Sequence, residues 1–191
     1  MARIVLASAS PRRRELLAQI GVKDIEIRPA SADESVFDHL PPEEMVVALS
    51  RLKAETAAKE GSEDDIVIGS DTAVVLDGRV MGKPASPAAA REMISSLSGR
   101  THRVLTGLCV MRGDVVKTFL GCAEVTFRAL DREEIEGYCS TEEPYDKAGA
   151  YGIQGLAAAF AEKISGDYYS IVGLPLCGTA KLLGEFGVRL F

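Results

Sequence analysis

The feature that most constrains the fold is the alternation of short apolar runs with helix-like segments along the chain. Residues 4–7 form a short apolar run that is typical of a strand, and residues 11–20 follow as a predicted helix. Ser10 stands at the N-cap position, Pro11 in the first turn and Gly21 just after the last turn, where these residue types are preferred. The chain therefore opens as a strand, a loop and a helix.

The same alternation continues through the rest of the sequence. Further helices are predicted at residues 42–59, 86–99, 131–139 and 176–186. Further strands are predicted at residues 66–69, 73–76, 104–111, 115–127 and 168–172. These elements predict an α/β fold with helices on a mixed sheet. No repeat, low-complexity tract or linker divides the sequence, so we expect residues 1–191 to form a single domain.

Composition narrows the class of protein. The 191 residues are 47% hydrophobic and 26% charged, which is the balance of a folded domain with a sizeable core. The net charge of −6 disfavours a nucleic-acid partner, and we expect a small-molecule partner instead. The four cysteines form no CxxC pair, which indicates free thiols in a reducing compartment. Without a secretory or membrane-spanning segment, the sequence predicts a cytoplasmic protein with no membrane partner.

Three arginines lie in the first turn of the first predicted helix. Arg12, Arg13 and Arg14 add positive charge where the helix dipole is already positive, so an anion is expected nearby. The unpaired backbone N–H groups, the guanidinium groups and the hydroxyls of Ser8 and Ser10 together suit a polyphosphate. The alternative is a solvated basic turn paired with a neighbouring acid, and the residue types alone leave both open.

One carboxylate interrupts an apolar stretch. Asp71 lies in IVIGSDTAVVL, whose flanks are apolar enough to be buried. A buried acid needs a partner, which would be a divalent cation, a lysine such as Lys53 or Lys83, or a water that it deprotonates. The alternative is a turn or bulge residue bonded to the backbone. If Mg²⁺ and a triphosphate are bound together, Glu34 and Asp71 would supply metal ligands and the two lysines would neutralise the phosphates.

Several familiar motifs are missing from the sequence. There is no Walker A motif and no GxGxxG, because the glycines of GAYGIQG are spaced GxxGxxG. The segment after Asp71 lacks the second aspartate of phospho-aspartyl phosphatases, and neither His39 nor His102 stands in a triad motif. The sequence therefore disfavours a Rossmann oxidoreductase and covalent catalysis.

Three segments together resemble the signature of the Maf family of nucleotide pyrophosphatases. They are LASASPRRRELL, then GSDTAVVLDG followed by MGKP, and EPYDKAGAYGIQG. The resemblance runs from Leu6 to the GLP that begins at Gly173. It implies a mixed twisted sheet flanked by helices, with two lobes around a deep cleft for the triphosphate, similar to inosine-triphosphate pyrophosphatases. It also implies a homodimer and a divalent cofactor, Mg²⁺ or Mn²⁺.

The matched segments suggest roles for individual residues. Arg12, Asp71 and Lys83 take the family's phosphate-binding, acid/base and phosphate-neutralising positions, whereas Glu34 and Lys53 match less distinctive segments. The hypothesis that follows is an in-line attack of water on the α-phosphorus. Asp71 would orient or deprotonate this water, or bind the metal that does. The leaving pyrophosphate would be held by Arg12, Arg13, Lys53 and Lys83.

Two residues indicate the base preference. Thr72 directly after the aspartate, and Gln154 within DKAGAYGIQG, resemble the dTTP/UTP branch of the family. The Gln154 amide offers a donor beside an acceptor, as the O4 and N3–H edge of uracil or thymine requires. The same amide could also pair with adenine, so the size of the pocket must exclude purines. Apart from the resemblance, Gln154 would be interpreted as an exposed loop amide.

The main prediction is hydrolysis of dTTP and UTP, and of modified pyrimidine triphosphates, to the monophosphate and pyrophosphate, as house-cleaning of the nucleotide pool. A rival of another class is a nucleotide-binding regulator of septum formation and cell division. Such a sensor needs no water-activating carboxylate, whereas Asp71, Glu34 and the two lysines form a hydrolytic set. A nearer rival is the same enzyme acting on modified pyrimidine triphosphates, such as methylated dUTP or UTP. A 7-methyl-GTP pyrophosphatase is a further alternative.

Overall fold

Seven strands form one sheet in the computed structural model, which describes residues 2–31 and 33–190 without the side chain of Glu34. The strands are β1 (Ile4–Leu6), β2 (Ile25–Ile27), β3 (Ile66–Leu76), β4 (Arg79–Met81), β5 (Thr101–Arg112), β6 (Val115–Phe127) and β7 (Ala161–Gly166). The α-helices are α1 (Pro11–Gln19), α2 (Pro42–Ala58), α3 (Pro87–Leu97), α4 (Arg132–Cys139), α5 (Tyr168–Val172) and α6 (Leu176–Glu185). Short 3₁₀ helices lie at Glu34–Phe37, Glu143–Asp146, Ala148–Ala150 and Leu156–Phe160.

The sheet is mixed, as predicted. Its order is β2-β1-β3-β5-β6-β7, and β4 pairs with β3. Strand β1 runs parallel to β2 and β3, whereas β3 with β4 and β6 with β7 are antiparallel. Neighbouring β5 and β6 are joined by only two residues, which requires an antiparallel pair. The predicted α/β class with a mixed sheet flanked by helices is confirmed. Among the described residues, no helix is long and apolar enough to cross a membrane.

The described residues pack into two compact units, and the single domain over residues 1–191 stays a prediction from the sequence. The first unit takes its residues from Met1–Asp71, Thr106–Gly121 and Gly173–Phe191. The second unit takes its residues from Thr72–Leu105 and Cys122–Val172. The chain passes from the first unit to the second inside β3, directly after Asp71. The predicted site residues are therefore divided between the two units.

In the first unit, two glycines bring the backbone of α2 against the sheet. A Cβ atom on Gly69 of β3 would collide with the carbonyl oxygen of Ser50, and one on Gly107 of β5 would collide with that of Val46. Both helix residues are fully buried. Because the backbones approach so closely, a side chain one turn further along α2 can reach the polar residues that follow Gly69.

The second unit has an aromatic core. Phe127 meets Tyr151 edge to face at a centroid distance of 4.9 Å and His102 at 5.1 Å. The Nε2 atom of His102 lies 2.8 Å from the hydroxyl of Tyr151. Burial lowers the pKa of His102 to about 4, so this ring is neutral at neutral pH. The buried hydrogen bond fixes the backbone that leads into the Gln154 segment.

Residues 168–172 form helix α5, so the predicted strand is wrong. The sequence YYSIV has strand-type composition. Asp167 decides the outcome locally, because its carboxylate accepts from the backbone N–H of Tyr169 at 3.0 Å and from the hydroxyl of Ser170 at 2.7 Å. These two bonds stabilise a first helical turn against the weaker preference of the side chains.

The two strands predicted at 66–69 and 73–76 are a single strand. The polar residues between them remain extended, with Ser70 fully buried and Asp71 partly buried inside β3. The alternative of Asp71 as a turn residue is therefore wrong. The carboxylate projects from the interior of a strand, where its position is fixed by the ladder on either side.

Candidate functional site

Asp71 forms an ion pair with Lys53 of α2. The ammonium Nζ lies 2.6 Å from Oδ1, and the two side chains are only 14% and 13% exposed. Such burial strengthens the attraction relative to a surface pair and makes either charge costly without a partner. Of the two lysines that the sequence offers as partners for Asp71, the structure brings Lys53 to it.

The carbonyl oxygen of Gly173 ties the residue before Asp71 to the first turn of α1. The hydroxyl of Ser70 lies 3.0 Å from this oxygen and 3.0 Å from the carbonyl oxygen of Gly107. Arg13 donates from Nε to the same Gly173 oxygen at 2.9 Å. Gly173 has a φ of +120°, which favours glycine. The arginine-bearing first turn of α1 (the arginine turn) and the strand that carries Asp71 therefore share one hydrogen-bond acceptor, the carbonyl oxygen of Gly173.

The loop between β1 and α1 is organised around Ser8. Its hydroxyl accepts from the backbone N–H of Ser10 at 3.2 Å and from Nη1 of Arg13 at 3.2 Å. Ser10 occupies the N-cap position, as predicted, but its side chain makes no capping bond with the described residues. Arg12 is half-buried, and no hydrogen bond or ion pair joins it to the described part of the chain. Arg12 and the uncapped N–H groups remain the groups best placed to receive an anion.

The remaining predicted substrate residues belong to the second unit. Thr72 follows Asp71 in β3 and is partly exposed, and Lys83 is exposed in the loop after β4. The N–H of Gly149 donates at 3.0 Å to the carbonyl of Gly82, so the Lys83 loop is tied to the segment that leads to Gln154. A Cβ atom on Gly149 would lie 2.9 Å from a methyl group of Val74, and its φ of +68° also favours glycine. Within this unit, the structure therefore links the two segments that the sequence predicts to bind substrate.

A divalent cation fits the described residues only when phosphate is bound as well. Three or more His, Cys, Asp or Glu side chains are nowhere grouped to hold an ion within residues 2–31 and 33–190. Asp71 offers a carboxylate, whereas the side chain of the other predicted ligand, Glu34, lies outside the described part. Mg²⁺ commonly binds through one or two carboxylates and completes its shell with substrate phosphates and water. Asp71 suits such a cation, which would arrive with the triphosphate.

Sequence reasoning missed the contacts of two residues. Ser70 and Gly173 both lie within segments that resemble the family signature, yet neither is singled out by charge or periodicity. Ser70 carried a usable signal, because a hydroxyl inside an apolar strand must find a buried acceptor. The acceptor itself lies 103 residues away and could not be identified from spacing.

Two solved structures resemble part of the chain. A HAM1 protein from Coxiella burnetii has a TM-score of 0.46 and 20% identity, covering 69% of this chain and 76% of that chain. The Ham1 protein of Staphylococcus aureus has a TM-score of 0.47 and 20% identity, covering 65% and 71%. At this level, the likeness says nothing about activity.

Relatives by sequence match over the whole length. The dTTP/UTP pyrophosphatase of Moorella thermoacetica is 53% identical over 194 residues, covering 100% of this chain and 98% of that protein. Proteins of the same name from Nitrosospira multiformis and Bacillus cereus (strain AH820) are 47% and 44% identical, each covering at least 98% of this chain and 97% of the relative. The family model of Maf-like proteins matches residues 3–186. The chain belongs to the Maf family.

Proposed function

We propose that this protein is a nucleoside triphosphate pyrophosphatase that hydrolyses dTTP and UTP to the monophosphate and pyrophosphate, and so clears the nucleotide pool. The observation that carries the proposal is the buried Asp71–Lys53 pair, which is linked through Gly173 to the arginine turn of α1. Three relatives that match nearly the whole chain bear the name dTTP/UTP pyrophosphatase. A buried acid, a lysine and a phosphate-binding helix turn are the parts that such a hydrolysis needs.

The proposed reaction is an in-line displacement at the α-phosphorus. The oxygen of water forms a bond to the α-phosphorus, the bond to the α–β bridging oxygen breaks, and that oxygen leaves with pyrophosphate. Asp71 orients the water and takes its proton. A cation bound by Asp71 and Glu34 would supply charge neutralisation on the phosphates. The leaving group is stabilised by Arg12, Lys53 and Lys83.

Lys53 has two successive partners in this proposal. Without substrate, it neutralises Asp71 across 2.6 Å. When a triphosphate binds, the ammonium also attracts the phosphate oxygens, and Asp71 becomes available to the attacking water. Arg13 donates to Gly173 and Ser8 and therefore shapes the binding loop, and its contact with the leaving pyrophosphate stays a prediction from the sequence.

Base selection is assigned to Thr72 and Gln154. Gln154 is exposed, and its amide can pair with the O4 and N3–H edge of uracil or thymine. Mg²⁺ or Mn²⁺ as cofactor and the absence of a nucleic-acid partner are part of the same proposal, the latter supported by the net charge of −6. The homodimer and the cytoplasmic location stay predictions from the sequence.

A nucleotide panel tests the proposal. The purified protein is incubated with Mg²⁺ and dTTP, UTP, CTP, ATP, GTP or 7-methyl-GTP, and pyrophosphate is measured separately from orthophosphate. We expect pyrophosphate from dTTP and UTP at rates far above those for the other nucleotides. Release of orthophosphate would place the attack at another phosphorus. Nucleotide binding without turnover would favour the cell-division regulator, and turnover of 7-methyl-GTP alone would favour the other branch of the family.

A further inference from the structure

Gln154 is presented to solvent by a tight turn. The N–H of Gly155 donates to the carbonyl of Gly152 at 3.0 Å, which closes a four-residue β-turn with Ile153 and Gln154 at its centre. Ile153 is 8% exposed, whereas Gln154 is exposed. The turn is therefore anchored by the buried side chain of Ile153, and it exposes the side chain of Gln154 to solvent.

The carboxylate of Glu143 holds the chain directly after this turn. Its Oε2 accepts from the backbone N–H of Leu156 at 2.7 Å, and its Oε1 accepts from that of Ala157 at 3.2 Å. The hydroxyl of Tyr138 lies 3.2 Å from Oε1 as well. Burial raises the pKa of the Tyr138 hydroxyl, and the negative charge of Glu143 acts in the same direction. Both carboxylate oxygens are therefore used as acceptors.

The two glycines of the turn leave space for the side chains of Glu143 and Lys147. A Cβ atom on Gly155 would collide with the carboxylate of Glu143. One on Gly152 would lie 2.8 Å from Cε of Lys147, whose ammonium donates to the backbone carbonyl of Glu143 at 2.9 Å. Both ends of the turn thus rest against one segment, and a side chain at either glycine would displace the Glu143 carboxylate or the Lys147 side chain.

The chain before the turn is anchored separately. Tyr151 is 5% exposed and its hydroxyl bonds the buried His102 of β5. Residues 151–157 are thereby fixed on one side by the aromatic core and on the other by a single carboxylate. Of these two anchors, the Glu143 carboxylate is the one that holds the residues directly after the turn.

We propose that Glu143 is a positioning residue for base selection, which fixes the turn so that the Gln154 amide faces the nucleotide base in one orientation. The inference rests on the proposed function. Uracil and cytosine present opposite donor and acceptor patterns on the edge in question, and an amide that turns over fits either. Discrimination between UTP and CTP therefore depends on where the amide meets the base, and the turn that Glu143 holds sets the point from which the Gln154 side chain reaches the base.

The test is the isosteric substitution Glu143→Gln. It replaces one accepting oxygen by an NH₂ group that faces a backbone N–H, so the turn loses a bond without losing volume. We expect kcat/KM for UTP to fall about 10-fold while that for CTP falls less, so that the UTP/CTP ratio drops. Glu142→Gln, an exposed neighbour, should leave the ratio unchanged. Gly155→Ala displaces the same carboxylate and should reproduce the drop, which covers the case of a Glu143→Gln protein that does not fold.

A double-mutant cycle with Gln154→Ala separates positioning from general stability. If Glu143 acts through Gln154, adding Glu143→Gln to Gln154→Ala changes the UTP/CTP ratio no further. An equal fall for UTP and CTP in Glu143→Gln would overturn the inference, since a structural role reduces all substrates alike. An unchanged ratio in Gln154→Ala would remove the base contact on which the inference depends. Failure of the proposed function is distinct, because the unaltered protein would then release no pyrophosphate from UTP.

Discussion

At the scale of single residues, the polar side chains of β3 have divided tasks. Ser70 and Asp71 are adjacent, so their side chains leave opposite faces of the strand. Ser70 is fully buried, and its hydroxyl lies within hydrogen-bond distance of backbone carbonyls. Asp71 is paired with Lys53. The hydroxyl holds the strand in place, and the carboxylate is the group to which we assign the proposed chemistry.

Asp71→Asn should lose nearly all turnover of UTP while the protein stays folded. The amide has almost the size of the carboxylate but cannot take a proton from water or pair with Lys53 as an anion. Pyrophosphate release and a thermal melt on the same sample provide the measurement. An Asn variant that retains substantial activity would contradict the assignment.

Ser70→Ala should destabilise the fold by ~1–2 kcal/mol and also lower kcat, because the carbonyls of Gly107 and Gly173 lose the one buried hydroxyl donor that they share next to Asp71. Denaturant unfolding and steady-state kinetics measure the two effects. Ser96→Ala is the matched control, since within residues 2–31 and 33–190 that hydroxyl bonds the carbonyl of Met93 in its own helix. Loss of stability with unaltered kcat would show that Ser70 supports the fold and has no effect on catalysis.

At the scale of elements, the residue types at helix starts and the apolar pattern decided which segments could be predicted. Helices α1, α3 and α4 begin where Ser or Asp precedes them, and the structure confirms each within two residues of the prediction. Strands β2, β4 and β7 were not predicted, because they are short or mostly exposed and show little apolar alternation. The error at α5 has the same origin, since the cap at Asp167 outweighs a strand-like composition.

Helix α4 carries a complete capping box, which gives a prediction of its own. Asp131 accepts from the N–H of Glu134 at 2.8 Å, and the Glu134 carboxylate accepts from the N–H of Asp131 at 3.1 Å. Asp131→Ala should lower the free energy of unfolding by ~1 kcal/mol. Chemical denaturation measures this, and Asp131→Asn should retain most of the stability. Equal losses in the two variants would show that charge, not capping, is what matters there.

The candidate site was predictable where chemistry is local and unpredictable where it depends on distant contacts. The arginine turn and Asp71 stand out because charge in such places needs compensation. The choice of Lys53 over Lys83 as the partner of Asp71 depends on the approach of α2 through Gly69 and Gly107, which no spacing in the sequence reveals.

At the scale of the whole molecule, low pH should reduce the stability of the fold through two kinds of titratable group. Burial alone would raise the pKa of Asp65, but hydrogen bonds from Ser62, Arg3 and Arg28 outweigh it and lower that pKa below its usual value. Burial also lowers the pKa of His102, to about 4. In both cases the unfolded chain binds protons more readily than the native protein, so stability is lost as pH falls.

The two groups act in different pH windows. His102 contributes fully above about pH 6.5, and its contribution is lost between pH 6.5 and 4, by on the order of 3 kcal/mol. Asp65 acts only at lower pH, as its own carboxylate becomes protonated. We expect the free energy of unfolding, measured with denaturant at pH 7, 5.5 and 4.5, to fall less steeply in His102→Phe than in the unaltered protein. Parallel curves would exclude His102 as the source.

The shared acceptor at Gly173 also bears on how the protein is made. Ser70 and Arg13 bond its carbonyl across 103 and 160 residues. Synthesis proceeds from the N-terminus, so β1, α1, α2 and β3 have all left the ribosome before this carbonyl exists. The two hydrogen bonds can therefore form only after Gly173 has been added, and a polypeptide that ends before this residue lacks the acceptor that joins α1 to β3.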